Sequence, residues 1–145
     1  MTLDRSGILA LLPHRDPFLM VDEVVWLEPA QRGVGVKHVR ADEDWARGHF
    51  PGNPILPGVL VTEALAQLAA IVFLAAHPDR VGSVQVYLVG IDKMRFRRPI
   101  RPGDDLRLSV ELTGHKRNLW TFDGEATVGD EVAAHGRFLA AIEEV

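Results

Sequence analysis

The chain has 145 residues, 47% of them hydrophobic and 25% charged, which fits one soluble globular domain over residues 1–145. It has no cysteine, which excludes disulfides, thiolate metal sites and a cysteine nucleophile, and is compatible with the cytoplasm. The net charge of −4 is uneven: Lys93 to Asn118 holds eight of the sixteen Lys and Arg but only three acids, so that segment is +5 and the remainder −9.

Along the chain, Asp4–Leu12 predicts a short helix, capped by Asp4 or Ser6 and stopped by Pro13. No secretory signal is legible before it. Phe18–Pro29 and Gly33–Ala41 predict two strands joined by a hairpin loop. A loop rich in proline and glycine follows, Gly48–Pro57. A helix of about 20 residues is then expected from Pro57, which suits a first helical turn, to His77, where Pro78 forbids continuation. In Val59–Ala76 only Thr62, Glu63 and Gln67 are clearly polar. That stretch is long enough to raise a membrane span, but an internal carboxylate and amide without basic flanks argue for the core of a soluble protein. Five further strands are predicted: Val84–Asp92, Met94–Ile100, Asp105–Gly114, Asn118–Val128 and Glu131–Ile142. Leu106, Leu108, Val110 and Leu112 alternate onto one face. One long buried helix and several meandering strands make an α+β domain, most economically a curved antiparallel sheet around the helix. Such a sheet can pair edge to edge with a second copy.

The chemistry concentrates in "GHFPGNPILPGVLVTEALAQ", Gly48–Gln67. Pro51, Pro54 and Pro57 stiffen a loop around His49, which suits a general base, although a histidine that merely bonds backbone is the alternative. Glu63 stands among Val59, Leu60, Val61, Ala64, Leu65 and Ala66, which leave it no polar face to join. Desolvation raises a carboxyl's pKa and so suits it to act as a general acid. Gly58, at the helix start, either lets a ligand approach the free N–H groups of the first turn or only loosens the terminus. A base, an acid and an oxyanion donor together suit proton abstraction beside a carbonyl, with β-elimination of a hydroxyl. The six histidines are scattered with no metal-ligand spacing, and no phosphate-binding glycine loop is present, so neither a metal nor a cofactor is expected. The basic segment suits a selective acidic partner rather than nucleic acid, since Phe96 is the only Phe, Tyr or Trp within it available for stacking.

"LLPHRDPFLMVDEV", the Gly48–Gln67 stretch and "GIDKMRFRRPIRPGDDL" resemble, in order and spacing, the signature segments of the FabZ-type 3-hydroxyacyl-acyl-carrier-protein dehydratases. The resemblance spans Leu11 to Leu106. It implies a hot-dog fold, with dimers that share one extended sheet and commonly assemble as a trimer of dimers. It implies dehydration of (3R)-3-hydroxyacyl thioesters on acyl carrier protein to trans-2-enoyl thioesters, in type II fatty acid biosynthesis. By position, His49 matches the family's catalytic histidine and Glu63 its catalytic glutamate, supplied by the partner subunit. Gly58 matches the backbone donor to the thioester carbonyl, with Phe50, Pro57 and Val59 beside the substrate. Tyr87 falls near a gating aromatic of some relatives, though a core or interface tyrosine is the plainer reading. Arg95, Arg97, Arg98 and Arg101 would suit the acidic carrier protein. A related dehydratase-isomerase group has aspartate where Glu63 stands. The alternatives are a hot-dog acyl thioesterase, which generally lacks the paired histidine, and a non-catalytic acyl-thioester-binding module, which should lack one member of the acid–base pair.

Overall fold

The structure, a computed structural model, describes all residues from Met1 to Val145. Helix α1 spans Arg5–Leu11 and α2 spans Gly58–Ala76. The strands are β1 (Glu23–Glu28), β2 (Arg32–His38), β3 (Val84–Phe96), β4 (Asp105–Lys116), β5 (Leu119–Val128) and β6 (Glu131–Glu144). They form one antiparallel sheet in the order β1-β2-β4-β5-β6-β3. This is the α+β arrangement the sequence predicts, with the sheet packed around α2.

Alternation dictates which side of the sheet meets the helix. Leu106, Leu108 and Val110 on β4 are buried, as are Trp120, Phe122 and Ala126 on β5 and Phe138, Ala140 and Ile142 on β6. Leu112 packs at the margin, where a bulge between Leu112 and Gly114 ends the regular alternation. Two glycines let α2 come close to the sheet. A Cβ at Gly33 would lie 2.9 Å from Val72, and one at Gly124 would lie 3.2 Å from Leu65. The long apolar helix has the length and composition of a membrane span, but 13 of its 19 residues are buried against the sheet and α1. Its apolar surface is the core of the domain.

Three departures from the sequence reading matter for the site. The first strand starts at Glu23 rather than Phe18, because the backbone of Phe18 and Met20 is engaged by the buried Gln67 side chain instead of a neighbouring strand. The stretches Val84–Asp92 and Met94–Ile100 are not two strands. They form the single strand β3, bulged at Lys93 with φ 55°, and Arg97–Ile100 leaves the sheet as a loop. A short 3-10 turn, Asp44–Arg47, precedes the proline-rich loop and carries no hydrophobic period that would reveal it.

The β3 bulge is held by close contact with β6. A Cβ at Gly136 would lie 2.6 Å from the Met94 Cα, a backbone atom that cannot swing away. Gly136→Ala should therefore force the strands apart and cost about 1–3 kcal/mol. A lower urea midpoint with an unchanged slope would show this, and an unchanged midpoint would contradict it.

Candidate active site

His49 is fixed from several sides. Its N–H donates to the Trp45 carbonyl, its own carbonyl accepts from Ile55 N–H, and Phe50 and Asn53 exchange two backbone bonds across the turn. The Arg101 guanidinium donates to the Asn53 side chain at 2.7 Å, tying the same turn to the loop after β3. His49 Nδ1 stands 2.7 Å from the Ile55 carbonyl oxygen, which can only accept, so Nδ1 carries the proton. Whenever the ring is neutral, the lone pair is therefore on Nε2, the atom a base would use. The Phe50 ring stacks on the imidazole at 4.2 Å.

The entry to this loop is anchored by a buried ion pair. Lys37, 3% exposed at the end of β2, bonds Glu43 Oε1 at 2.6 Å, and Glu43 Oε2 accepts from the Arg40 N–H. The 3-10 turn starts at the next residue and delivers the chain to His49.

His49 opens on a cavity of about 400 Å³ lined also by Ile55, Gly58, Val61, Phe96 and Arg97. Gly58 is the first residue of α2, and neither its N–H nor that of Val59 has a backbone acceptor. Both are therefore free donors at the positive end of a 19-residue helix. The Phe96 ring lies where a side chain at position 58 would go, 3.0 Å from a Cβ built there. A side chain at position 58 would have to displace that ring, so glycine keeps Phe96 packed closely against the helix start. Sequence reasoning missed Phe96, whose only signal was an aromatic inside the third motif.

Glu63 does not line this cavity. Five residues beyond Gly58, at 3.6 residues per turn, it projects roughly 140° around the helix. It is half-buried rather than enclosed, and it is not unpaired. The Gln67 amide, one turn on, donates to its Oε2 at 2.8 Å. Gln67 is itself 1% exposed and fully used: it also donates to the Phe18 carbonyl at 2.8 Å and accepts from Met20 N–H at 2.7 Å. The sequence offered Gln67 only as a polar residue in an apolar run.

The other expected residues are scattered. Pro57 caps α2, and Val59 is 75% exposed. Tyr87 is exposed on β3, donates to Gln85 Oε1 at 2.7 Å, and lines a second cavity of about 310 Å³ with Pro13 and His14. Arg97 and Arg98 line the His49 cavity, and Arg98 also faces Asp104 and Glu131 at 3.5 and 3.8 Å. Arg95 is exposed and meets no acid.

Residues 12–137 match the model of the FabA-like domain. Curated relatives named 3-hydroxyacyl-[acyl-carrier-protein] dehydratase FabZ align along nearly their whole length. The Chloroflexus aggregans protein is 49% identical over 142 residues, 98% of this chain and 97% of its own. The Alkaliphilus metalliredigens protein is 46% identical over 142 residues, covering 98% and 95%. The chain belongs to the FabZ family. Among solved structures, the dehydratase heterocomplex ApeI:P of Xenorhabdus doucetiae superposes with a TM-score of 0.79 at 20% identity, over 94% of this chain and 90% of that one. That likeness is one of fold, and the fold is the hot-dog the motifs imply.

The Lys37–Glu43 anchor makes a testable claim about the loop. Glu43→Ala leaves a buried ammonium without a partner and should cost about 3–5 kcal/mol, whereas the double change Lys37→Met, Glu43→Leu should recover most of it. Equal loss in both, measured by urea unfolding, would show that the ion pair is not what is being lost.

Proposed function

We propose that the chain is a 3-hydroxyacyl-[acyl-carrier-protein] dehydratase of type II fatty acid biosynthesis whose domain, residues 1–145, uses His49 as base and Glu63 of a second subunit as acid. The observation that carries the mechanism is the separation of these groups. His49 and the free Gly58 N–H share one cavity, while Glu63 is held on another flank of α2.

In the forward reaction the thioester carbonyl accepts from Gly58 N–H at the helix start. The developing enolate is stabilised there, since an amide that needs no reorganisation is worth about 2.7–4 kcal/mol to an oxyanion. His49 Nε2 takes the proton from C2. The electron pair forms the C2–C3 double bond, the C3–O bond breaks, and Glu63 gives its proton to the leaving hydroxyl, which departs as water. The enzyme is left with a protonated His49 and an ionised Glu63, the forms that run the reverse hydration. No cofactor or metal enters this scheme. Phe50, Pro57 and Val59 flank the reacting atoms.

The second copy has a natural place to bind. β3 is the edge of the sheet, and Tyr87, Val89 and Ile91 on its alternate positions are 46–55% exposed. An exposed apolar edge strand favours pairing with another chain. Pairing of β3 with β3 extends the sheet and covers these side chains, with further association into a trimer of dimers. Tyr87 is then an interface residue beside the cavity it lines with Pro13 and His14. The acidic carrier protein docks on Arg95, Arg97, Arg98 and Arg101, beside the cavity. The enzyme works in the cytoplasm, where its carrier-linked substrates are soluble, without nucleic acid or membrane insertion.

His49→Ala and Glu63→Gln should each lower turnover of a 3-hydroxyacyl-carrier-protein substrate by about 10²–10⁴-fold, followed at the enoyl absorbance, with folding intact. An active Glu63→Gln would remove the acid role from Glu63. The change Arg95→Glu, at an exposed position outside the cavity lining, should raise KM for the carrier-linked substrate, more at low salt, and leave a short thioester analogue unaffected. Equal loss on both substrates would rule out carrier docking as the role of Arg95.

A further inference from the structure

The first signature segment, "LLPHRDPF", has no role in the scheme above, yet it reaches Glu63 through His14 directly and through Phe18 by way of Gln67. Phe18 and Met20 hold Gln67, and Gln67 holds Glu63. Arg15 ties the segment down by donating to the carbonyls of Leu9, Leu12 and His14 at 2.7–3.1 Å. His14 sits at the centre, its Nε2 3.7 Å from Glu63 Oε2 and its Nδ1 buried with no partner.

We propose that His14 is a positioning residue that, as a neutral imidazole with its proton on Nε2, decides which oxygen of Glu63 carries the transferable proton. The proposal rests on Glu63 being the acid.

The buried Nδ1 determines the tautomer. An orphaned buried N–H is rarer and costlier than an unsatisfied lone pair, so the proton belongs on Nε2, facing Glu63. Burial holds the His14 pKa below the usual histidine value; the Glu63 carboxylate pulls it up and the Arg15 guanidinium pushes it down. From β3, the only ionisable group at this cavity is the Tyr87 hydroxyl. The ring is thus a neutral donor, where an imidazolium would keep Glu63 ionised with no proton to give.

Gln67 Nε2 and His14 Nε2 both address Oε2. In the acid form Oε2 is therefore the accepting oxygen, and Oε1 bears the proton, turned to the substrate. Once the proton has left, the same two donors stabilise the carboxylate. At 3.7 Å the His14 contact is longer than a hydrogen bond, and a small closure with substrate bound would complete it.

The test compares His14→Leu with His14→Gln, whose side-chain amide reaches the Nε2 position but cannot become a cation. Melting temperatures check the fold, and Glu63→Gln runs alongside. In His14→Leu, kcat should fall by roughly 10–100-fold with KM little changed. The alkaline limb of its pH–rate profile should move upward, because a carboxylate that loses a donor holds its proton to higher pH. His14→Gln should restore both readouts. If His14→Leu does not fold, His14→Asn, whose amide reaches only the Nδ1 position, makes the same comparison with His14→Gln. An unchanged kcat and alkaline limb, with Glu63→Gln inactive, would overturn the proposal while leaving the acid in place. Equal loss in the leucine and glutamine variants would reduce His14 to packing and overturn it as well. Full activity in Glu63→Gln would remove the acid role itself, and this proposal with it.

Discussion

A helix that is apolar on nearly every side has no face to give to water, and the rest of the structure follows from that constraint on α2. The sheet must wrap it, with glycines where the approach is closest. One sheet cannot enclose a helix completely. Val59 and Glu63 stay open on one side of α2, and Tyr87, Val89 and Ile91 stay open on the edge strand. The same incompleteness leaves Glu63 on a different flank of α2 from the cavity that His49 lines.

His49 and Glu63 are each held by backbone and amide hydrogen bonds rather than by surface charge. His49 takes its tautomer from the Ile55 carbonyl and its place from a loop anchored by the Lys37–Glu43 pair. Glu63 takes its orientation from Gln67, whose amide is fully used between helix and N-terminal segment. Buried, fully paired polar groups of this kind fix a single arrangement because any alternative leaves a donor or acceptor unmet. In the proposed reaction, His49 and Glu63 would therefore need little reorganisation when a thioester enters.

Much of this was legible in the chain. The proline brackets of α2 gave its limits to within a residue or two, because Pro57 and Pro78 act locally. Alternation on β4 identified the core face for the same reason. His49 and Gly58 stood out because the loop around them is unusual in composition. The hidden parts depend on distant partners. Nothing local distinguishes Gln67 as the residue that holds Glu63, since its contacts, Phe18 and Met20, lie 49 and 47 residues away. The β3 bulge at Lys93 reads as a strand break because its continuity is imposed by pairing with β6. His14 lay in a recognisable motif, but its relation to Glu63 exists only once α1 and α2 are packed.

The central claim is that each site joins the base of one subunit to the acid of another, and subunit mixing tests it directly. His49→Ala and Glu63→Gln proteins, each inactive alone, are unfolded, mixed in equal amounts and refolded together. A mixed dimer then contains one site with both residues intact and one with neither. Random pairing predicts recovery of about a quarter of wild-type activity. A mixture as inactive as its components, with mixed dimers demonstrated, would place base and acid in the same subunit and contradict the account.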